Sequence, residues 1–385
     1  MQYPFLFSVV RSAFRQKCSL HSFPAACLEL IKAIVIVLAF STAGLSATYV
    51  VTKTADTNDG VCDSDCSLRE AIAAANATGE NDQIDFDPAV FSSLSTIALA
   101  FGDLQIQNSG NLNINGPGKA FLTIDGLHQY RIFTLADGVN LKISGMTLTK
   151  GAPRGLTGPV GGGAIYNSTG TLRIEDSLIN LCGATGGRNG ANGGAVFNRG
   201  TLEIVATEFN LNYSDNNTSS GGSGGAIFNQ INSSMTISLS TFSQNTAGDN
   251  DGGAIFNREG VVSNIADSLF VGNNSRHGGA IFGSGDGELT IANSTFTNNT
   301  CQVVSNSGDG GAIRTLAGVL SVQGSSFTQN IATRGGAIYS FGGNVLVVGS
   351  MFNENSATSG SGGALHVVSD TTIVDSEMTA NSAMA

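Results

Sequence analysis

The stretch Gly-Gly-Ala-Ile-Phe-Asn at residues 252–257, followed by Phe-Val-Gly-Asn at residues 270–273, decides the fold of this 385-residue chain. The Gly-Gly-Ala-aliphatic string occurs eight times at steps of 25 to 32 residues, with a Phe-x-x-Asn string after nearly every copy. Such a period predicts a solenoid, because each repeat can bury its apolar side only against its neighbours. The first glycines of the eight copies are Gly162, Gly193, Gly224, Gly252, Gly278, Gly310, Gly335 and Gly362.

A short alternating segment lies between the two strings of each repeat, as in Leu202-Glu203-Ile204 and Leu289-Thr290-Ile291. Alternation at period two indicates a strand, and the repeat region contains no 3.6-residue apolar stripe. Each repeat therefore offers about three short strands separated by turns. The sequence predicts an all-β chain, a right-handed single-stranded parallel β-helix with successive coils about 4.8 Å apart.

Stacked coils place equivalent residues in columns. Asparagine suits a tight bend, because it tolerates the left-handed region and its amide can bond to the residues above and below. The glycine pair fits either a positive φ or a close backbone approach. The Asn column is Asn212, Asn245, Asn273, Asn299, Asn330, Asn355 and Asn381. A second column holds Tyr166, Phe197, Phe228, Phe256, Phe282 and Tyr339, interrupted by Arg314.

Four segments follow from these patterns. Residues 1–47 resemble a signal peptide, with four basic residues before an apolar run, although an uncleaved anchor stays open. Residues 48–84 form an N-terminal cap segment, in which the capping box Ser67-Leu68-Arg69-Glu70 opens a helix over 68–77 that covers the solenoid end. Residues 85–160 are irregular first coils, and residues 161–385 are the regular ones.

The charge balance and the cysteines point to export. Beyond residue 47, 14 basic residues face 28 acidic ones, which argues against a nucleic-acid partner. In an oxidising compartment the close pair Cys62 and Cys66 predicts a disulfide, while a metal site would draw on the flanking Asp63 and Asp65. The isolated Cys182 and Cys301 are expected to be buried.

Two motifs carry a family resemblance. Residues 66–71 spell CSLREA, which resembles the domain of that name near the N-terminus of many bacterial surface proteins. The paired Gly-Gly-Ala-Ile and Phe-x-x-Asn strings resemble the repeats of the chlamydial polymorphic outer membrane proteins. The resemblance implies a bacterial β-helical passenger, secreted or on the outer-membrane surface, with a role in adhesion. Such proteins generally end in an anchor, and none is recognisable before Ala385, so we expect a truncated chain whose membrane association needs that missing anchor or an uncleaved signal.

The search for chemistry leaves few candidates. Asp176, Asp267 and Asp375 occupy equivalent positions, but in coils that are not adjacent, so turn formation explains them better than catalysis. The residue before each glycine pair is more informative, because four consecutive coils carry alternating charge there. This strip is a candidate contact for a sugar or calcium, and its alternative interpretation is a solvated turn column with weak ion pairs. The strip consists of Asp251, His277, Asp309 and Arg334.

We therefore expect a non-catalytic passenger that recognises an unidentified glycan or protein, or serves as an envelope stalk. No catalytic residue and no cofactor is predicted, apart from the calcium that the strip leaves open. The alternative is a β-helical polysaccharide lyase or glycoside hydrolase acting on pectin-like glycans, which would need several acidic residues converging beside an Arg or Lys.

Overall fold

The computed structural model describes residues 46–107, 110–153, 161–185, 191–215, 222–301 and 308–384. The predicted signal peptide lies outside these residues except for its last two positions, and so do most of the expected long loops at 217–223 and 302–309. Ser46–Ala385 forms one compact unit. Its chain is almost entirely parallel β-structure, which confirms the predicted β-helix.

Three long sheets and one short one run along the solenoid in the part of the chain that the structure describes. Sheet A has 12 strands: Thr48–Val51, Asp82–Phe86, Asn111–Asn115, Asn140–Ser144, Thr171–Glu175, Thr201–Val205, Ser234–Ser238, Val262–Ala266, Glu288–Ala292, Val319–Gln323, Asn344–Val348 and Thr371–Val374. Sheet B has 11: Ser95–Ala98, Leu122–Asp125, Thr147–Thr149, Leu178–Asn180, Glu208–Asn210, Thr241–Ser243, Leu269–Val271, Thr295–Thr297, Ser326–Thr328, Met351–Asn353 and Glu377–Thr379.

Sheet C contains the residues that follow the glycine pairs, and sheet D contains short strands between sheet B and the next pair. Among the described residues sheet C has 10 strands: Leu104–Ile106, Phe133–Leu135, Ile165–Asn167, Val196–Asn198, Ile227–Asn229, Ile255–Asn257, Ile281–Gly283, Ile313–Thr315, Ile338–Ser340 and Leu365–Val367. Sheet D consists of a two-stranded part, Gly183–Thr185 and Tyr213–Asp215, and a five-stranded part, Asn274–Ser275, Thr300–Cys301, Ile331–Ala332, Ser356–Ala357 and Ser382–Ala383, which are joined by bridges through Thr246.

The register of the strands turns the repeat into a continuous core. The strand Thr201–Val205 pairs in parallel with the equivalent strands of the coils before and after it, so Leu202 lies between Leu172 and Met235. Burying each such side chain contributes about 2 kcal/mol. In sheet B the Phe rings face inward and stack from Phe209 to Phe352 with centroids 4.7 to 4.8 Å apart.

The corner between sheets A and B combines a left-handed residue with a hydroxyl ladder. Thr207 follows the left-handed Ala206, whose φ is 49°. The backbone N–H of Thr207 donates to Ser240 Oγ at 3.1 Å, and that hydroxyl donates to the carbonyl of Ser238 at 2.7 Å. The ladder continues through Ser268, Ser294, Ser325, Ser350 and Ser376.

The corner after sheet B holds the Asn column, but the predicted reason for asparagine there is wrong in part. The left-handed residue is the one before each Asn, such as Gly272 with a φ of 63°. The buried Asn273 instead satisfies polar groups. Its Oδ1 accepts from both the backbone N and the Nδ2 of Asn245 at 3.0 Å, and its Nδ2 donates to Phe242 O and to Asn299 Oδ1 at 2.9 Å. Every amide hydrogen is thereby used inside the core.

The glycine pair needs both properties that the sequence left as alternatives. The first glycine has a positive φ in all eight copies, 71° at Gly252. The second allows a close approach, since a Cβ at Gly253 would lie 2.1 Å from the carbonyl oxygen of Gly279 in the next coil. A Cβ at Gly252 would also lie 2.2 Å from the carbonyl oxygen of Ile255, so lack of space excludes alanine at both positions and the positive φ adds to this at the first.

The N-terminal end carries helix α1, Leu68–Asn76, and the structure also has a short helix α2, Pro88–Phe91. Ser67 and Glu70 form the predicted capping box, and Leu68 and Ile72 are buried on the face of α1 that packs against the first strands of sheets A and C. A disulfide joins Cys62 and Cys66 in the preceding loop. No helix among the described residues is long and apolar enough to cross a membrane.

Candidate functional site

The four strip residues lie side by side in successive coils, just before the glycine pairs that lead into the strands of sheet C. Asp251 pairs with His277 and Asp309 pairs with Arg334 in isolated parallel bridges. The backbone N–H of Gly278 donates to the carbonyl of Asp309 at 2.9 Å and joins the two pairs. The parallel stacking of coils therefore brings together residues that are 25 to 32 positions apart in the chain.

The outer face of sheet C carries the second column that the sequence indicated. Its aromatic rings stack at 5.1 to 5.2 Å from Tyr166 to Phe282. Arg314 continues the column, with its guanidinium carbon 5.4 Å from the ring centroid of Phe282 and 5.5 Å from that of Tyr339. His366 stacks on Tyr339 at 5.1 Å. A guanidinium thus replaces one ring in a stack, which cation–π attraction permits.

Asp309 joins the strip to this column. Its carboxylate accepts from Nε and Nη2 of Arg334, both at 2.8 Å, and lies 3.5 Å from Nη2 of Arg314. The Asp309 side chain is only 1% exposed, whereas that of Arg334 is 42% exposed. A solvated column of weak surface pairs does not describe this residue, because a buried carboxylate needs its cationic partners.

His277 is held neutral beside these charges. Burial lowers its pKa to about 3, and the nearby cations Arg314, Arg276 and Arg334 add to the shift. Its Nδ1 accepts a hydrogen bond from the backbone N–H of Asp309 at 3.2 Å. The Nε2 atom is therefore the one that carries the proton.

Asp251 has the opposite response to burial. Burial raises its pKa to about 6, although the nearby Arg314 and Arg276 favour the carboxylate. The same two guanidinium groups that act on His277 thus also act on Asp251. Arg314 and Arg334 contact the buried carboxylate of Asp309, and Arg276 adjoins His277 in the chain.

Arg276 and the role of Arg314 escaped the sequence reasoning. The signal was available, because Arg276, Arg314 and Arg334 are the only Lys or Arg residues after position 258. Arg314 had been noted only as an interruption of the aromatic column. Without the coil register, nothing in the sequence brings it to Asp309.

A second Asn ladder, inside sheet C, was also missed. Nδ2 of each Asn donates to Oδ1 of the next at 2.8 to 2.9 Å, and the ladder stops at Gly283. Beyond it the hydroxyl of Thr315 donates to that of Ser340 at 3.0 Å. The signal was the Asn that ends each aliphatic-aromatic-Asn triplet. The members are Asn167, Asn198, Asn229 and Asn257.

The other candidates show no assembled site among the described residues. Asp176, Asp267 and Asp375 take the left-handed position of the corner between sheets A and B, with φ of 43° to 50°. No group of three His, Cys, Asp or Glu side chains in the described ranges is placed to hold a metal ion, and the calcium hypothesis stays a prediction. Burial raises the pKa of the Cys182 and Cys301 thiols to about 12.

Comparison with known proteins supports the repeat part of the resemblance. Residues 240–258, 293–315 and 324–340 match the Chlamydia polymorphic membrane protein repeat. Each of the three segments includes one Phe-x-x-Asn string and the Gly-Gly-Ala-Ile string that follows it. No curated protein and no solved structure matches the chain. The CSLREA resemblance stays a prediction.

Proposed function

We propose that this chain is an exported β-helical passenger, displayed on a bacterial surface or secreted, whose task is recognition of a glycan or protein, as in adhesion. The fold and the repeat match support a surface passenger. Three continuous ladders, the corner hydroxyls, the corner Asn residues and the inward Phe rings, stabilise a rigid scaffold on which outward side chains can vary without loss of the core.

The observation that carries recognition, rather than a plain stalk role, is the uneven distribution of charge on this scaffold. The regular repeat changes little inside, but outside it two of the three arginines after Arg258 contact the buried Asp309, and the third, Arg276, adjoins His277 in the chain. A spacer needs no such concentration. Clustered charges that desolvate one another are more often found at binding sites.

The enzymatic alternative finds less support in the geometry. The column with Asp176 and Asp267 has Ala206 and Leu239 in the coils between them, so carboxylates do not stand next to each other there. A hydrolase places two carboxyl groups within about 10 Å of each other across the substrate. The glycan lyase or hydrolase is thus kept as an outcome of the test below.

The test is a glycan-array screen and a polysaccharide-degradation assay on the full chain, each with and without calcium. Binding without product supports recognition. New reducing or unsaturated ends would favour the enzyme instead, and no binding to any glycan or to cell-surface protein extracts would leave the stalk role. Protease treatment of intact cells, followed by immunoblotting, tests surface display: cleavage before lysis is expected, and full protection contradicts the proposal.

A further inference from the structure

Three arginines lie in the coils around His277, close to the strands of sheet C. Arg276 precedes it in the chain, Arg314 lies on the outer face of sheet C, and Arg334 precedes the glycine pair two coils further on. His277 Nδ1 accepts from the backbone N–H of Asp309 at 3.2 Å, and the Asp309 carboxylate lies 2.8 Å from Nε of Arg334 and 3.5 Å from Nη2 of Arg314, so these side chains form one cluster. We call Arg276, Arg314, Arg334 and His277 the arginine edge.

The carboxylate of Asp309 does not pair with all of these guanidinium groups. Asp309 takes both Nε and Nη2 of Arg334 but contacts Arg314 only at 3.5 Å. Nε of Arg314 is buried and has no hydrogen-bond partner. The exposed Arg276 forms no ion pair with any described residue. Asp251, the other carboxylate at this place, is bridged to His277 and forms no ion pair with the described residues. Arg334 is thus paired with Asp309, while Arg276 and Arg314 keep unpaired donors.

A buried Arg donor without a partner is costly, because desolvation of a charged group is repaid only by a strong hydrogen bond. The forked donors of arginine match the two oxygens of a carboxylate. From this geometry we infer that the arginine edge binds the carboxylate of an acidic sugar residue, with Arg276 and Arg314 as its ligands. This inference rests on the proposed recognition function and names the chemistry of the ligand.

The surroundings favour one local negative charge over a long polyanion. The chain carries a net charge of −11, so an extended nucleic acid or a heavily sulfated polymer is repelled outside this edge. Neutral polar groups lie beside the arginines: His277 Nδ1 is bonded to the Asp309 N–H, which leaves the Nε2–H as a donor, and the backbone of Asn250 is joined to that of Arg276 by a hydrogen bond of 2.7 Å. Such groups suit the hydroxyls of a sugar.

The experiment measures binding of methyl glucuronide and N-acetylneuraminate to the full chain by ligand-observed NMR, with the methyl ester of each sugar as its neutral match. The acids are expected to bind at least about tenfold more tightly than their esters, the usual effect of losing one charge-assisted contact. Inorganic sulfate competes only weakly if the sugar hydroxyls contribute. Equal competition by sulfate would reduce the site to a general anion site and overturn the sugar assignment.

Arg276→Gln is the informative variant, because an exposed residue without an ion pair can be changed with little effect on folding. It should weaken binding of the acids about tenfold and leave the esters unchanged. The matched control is Arg258→Gln, at the far end of the sheet C strand, where the guanidinium bonds to Gln230. Equal affinities of the two variants for the acids would contradict the inference.

The outcomes separate this inference from the proposed function. Acids and esters that bind alike, or no binding of either acid, overturn the arginine edge as a carboxylate site. Recognition of other ligands by the full chain would still stand in that case. Failure of the full chain to bind any surface ligand would overturn recognition itself.

Discussion

The regular coils before and after Gly283 share one scaffold and differ on one sheet. In both parts the inward Phe residues of sheet B stack and the corner Asn ladder continues without a break. Sheet C changes: before Gly283 it has an Asn ladder inside and aromatic rings outside, and after it Thr315 and Ser340 inside and Arg314 outside. The ladders at the corners hold the coils together in both parts. The residues of sheet C can therefore differ between the two parts.

The largest expected effect on stability comes from disrupting the corner Asn ladder, which the two parts share. Asn273→Leu removes the acceptor of the backbone N–H and Nδ2 of Asn245 and the donor to Phe242 O inside the core, while Asn299 Oδ1 keeps only the backbone N–H of residue 273. We expect the free energy of unfolding to fall by about 4 kcal/mol, measured by urea denaturation. The control Asn264→Leu changes an exposed residue of sheet A in the same coil and should cost less than about 1 kcal/mol. Similar losses in both variants would show that the ladder contributes little.

The second prediction concerns the charged strip and pH. Asp251 has an ordinary pKa of 3.8, which burial raises to about 6, so the folded chain holds this proton more tightly than the unfolded chain does. Its contribution to stability is therefore full below pH 3.8 and is lost as the pH rises through 6. Asp251→Asn should exceed the parent chain in stability by about 2 kcal/mol at pH 7.5, with no advantage below pH 4.

His277 responds in the opposite direction, and this makes the test sharper. Its pKa is lowered from 6.5 to about 3, so its contribution is present above pH 6.5 and is lost as the pH falls towards 3. Both chains in the Asp251 comparison keep His277, so the difference between their melting temperatures isolates the carboxyl. A difference independent of pH would contradict the assigned shift.

The third prediction concerns the inner face of sheet C, where Gly283 interrupts the Asn ladder. A Cβ at Gly283 would meet nothing nearer than Thr315 Cγ2 at 3.5 Å, and this glycine has no positive φ. Gly283→Asn should extend the inner ladder from Asn257 and raise the free energy of unfolding by about 1 kcal/mol, seen as a higher melting temperature. Gly349→Asn, at the left-handed corner where other coils carry Asn or Asp, is the control and should change little.

The fourth and smallest effect on stability comes from replacing Arg314, which interrupts the aromatic column on the outer face of sheet C. Arg314→Phe completes the aromatic stack between Phe282 and Tyr339, and stacking of about 1 kcal/mol offsets the lost 3.5 Å pair with Asp309. The melting temperature should stay nearly constant while acidic-sugar binding is lost. The reverse change, Phe282→Arg, sets two guanidinium groups in adjacent coils and should lower the melting temperature. A stable Phe282→Arg variant would show that charge spacing in the column is unimportant.

The sequence by itself determined the β-helix, its coil boundaries, the Phe stack, the positions of the corner Asn column and the capping box of α1. It could do so because these features repeat at a fixed period, and a repeated residue must occupy a repeated environment. The same argument placed Asp251, His277, Asp309 and Arg334 in one line before the structure showed their bridges.

The tertiary structure alone decided the rest. The left-handed residue proved to be Gly272 rather than Asn273, because a side chain that must satisfy core polar groups needs the inward position beside the bend. Arg276 adjoins His277 in the chain, whereas Arg314 lies in the next coil at a different position of the repeat, and only the folded chain places it 3.5 Å from Asp309. Periodicity fixes contacts between equivalent residues, whereas contacts across a corner depend on side-chain direction, burial and charge, which a linear pattern does not contain.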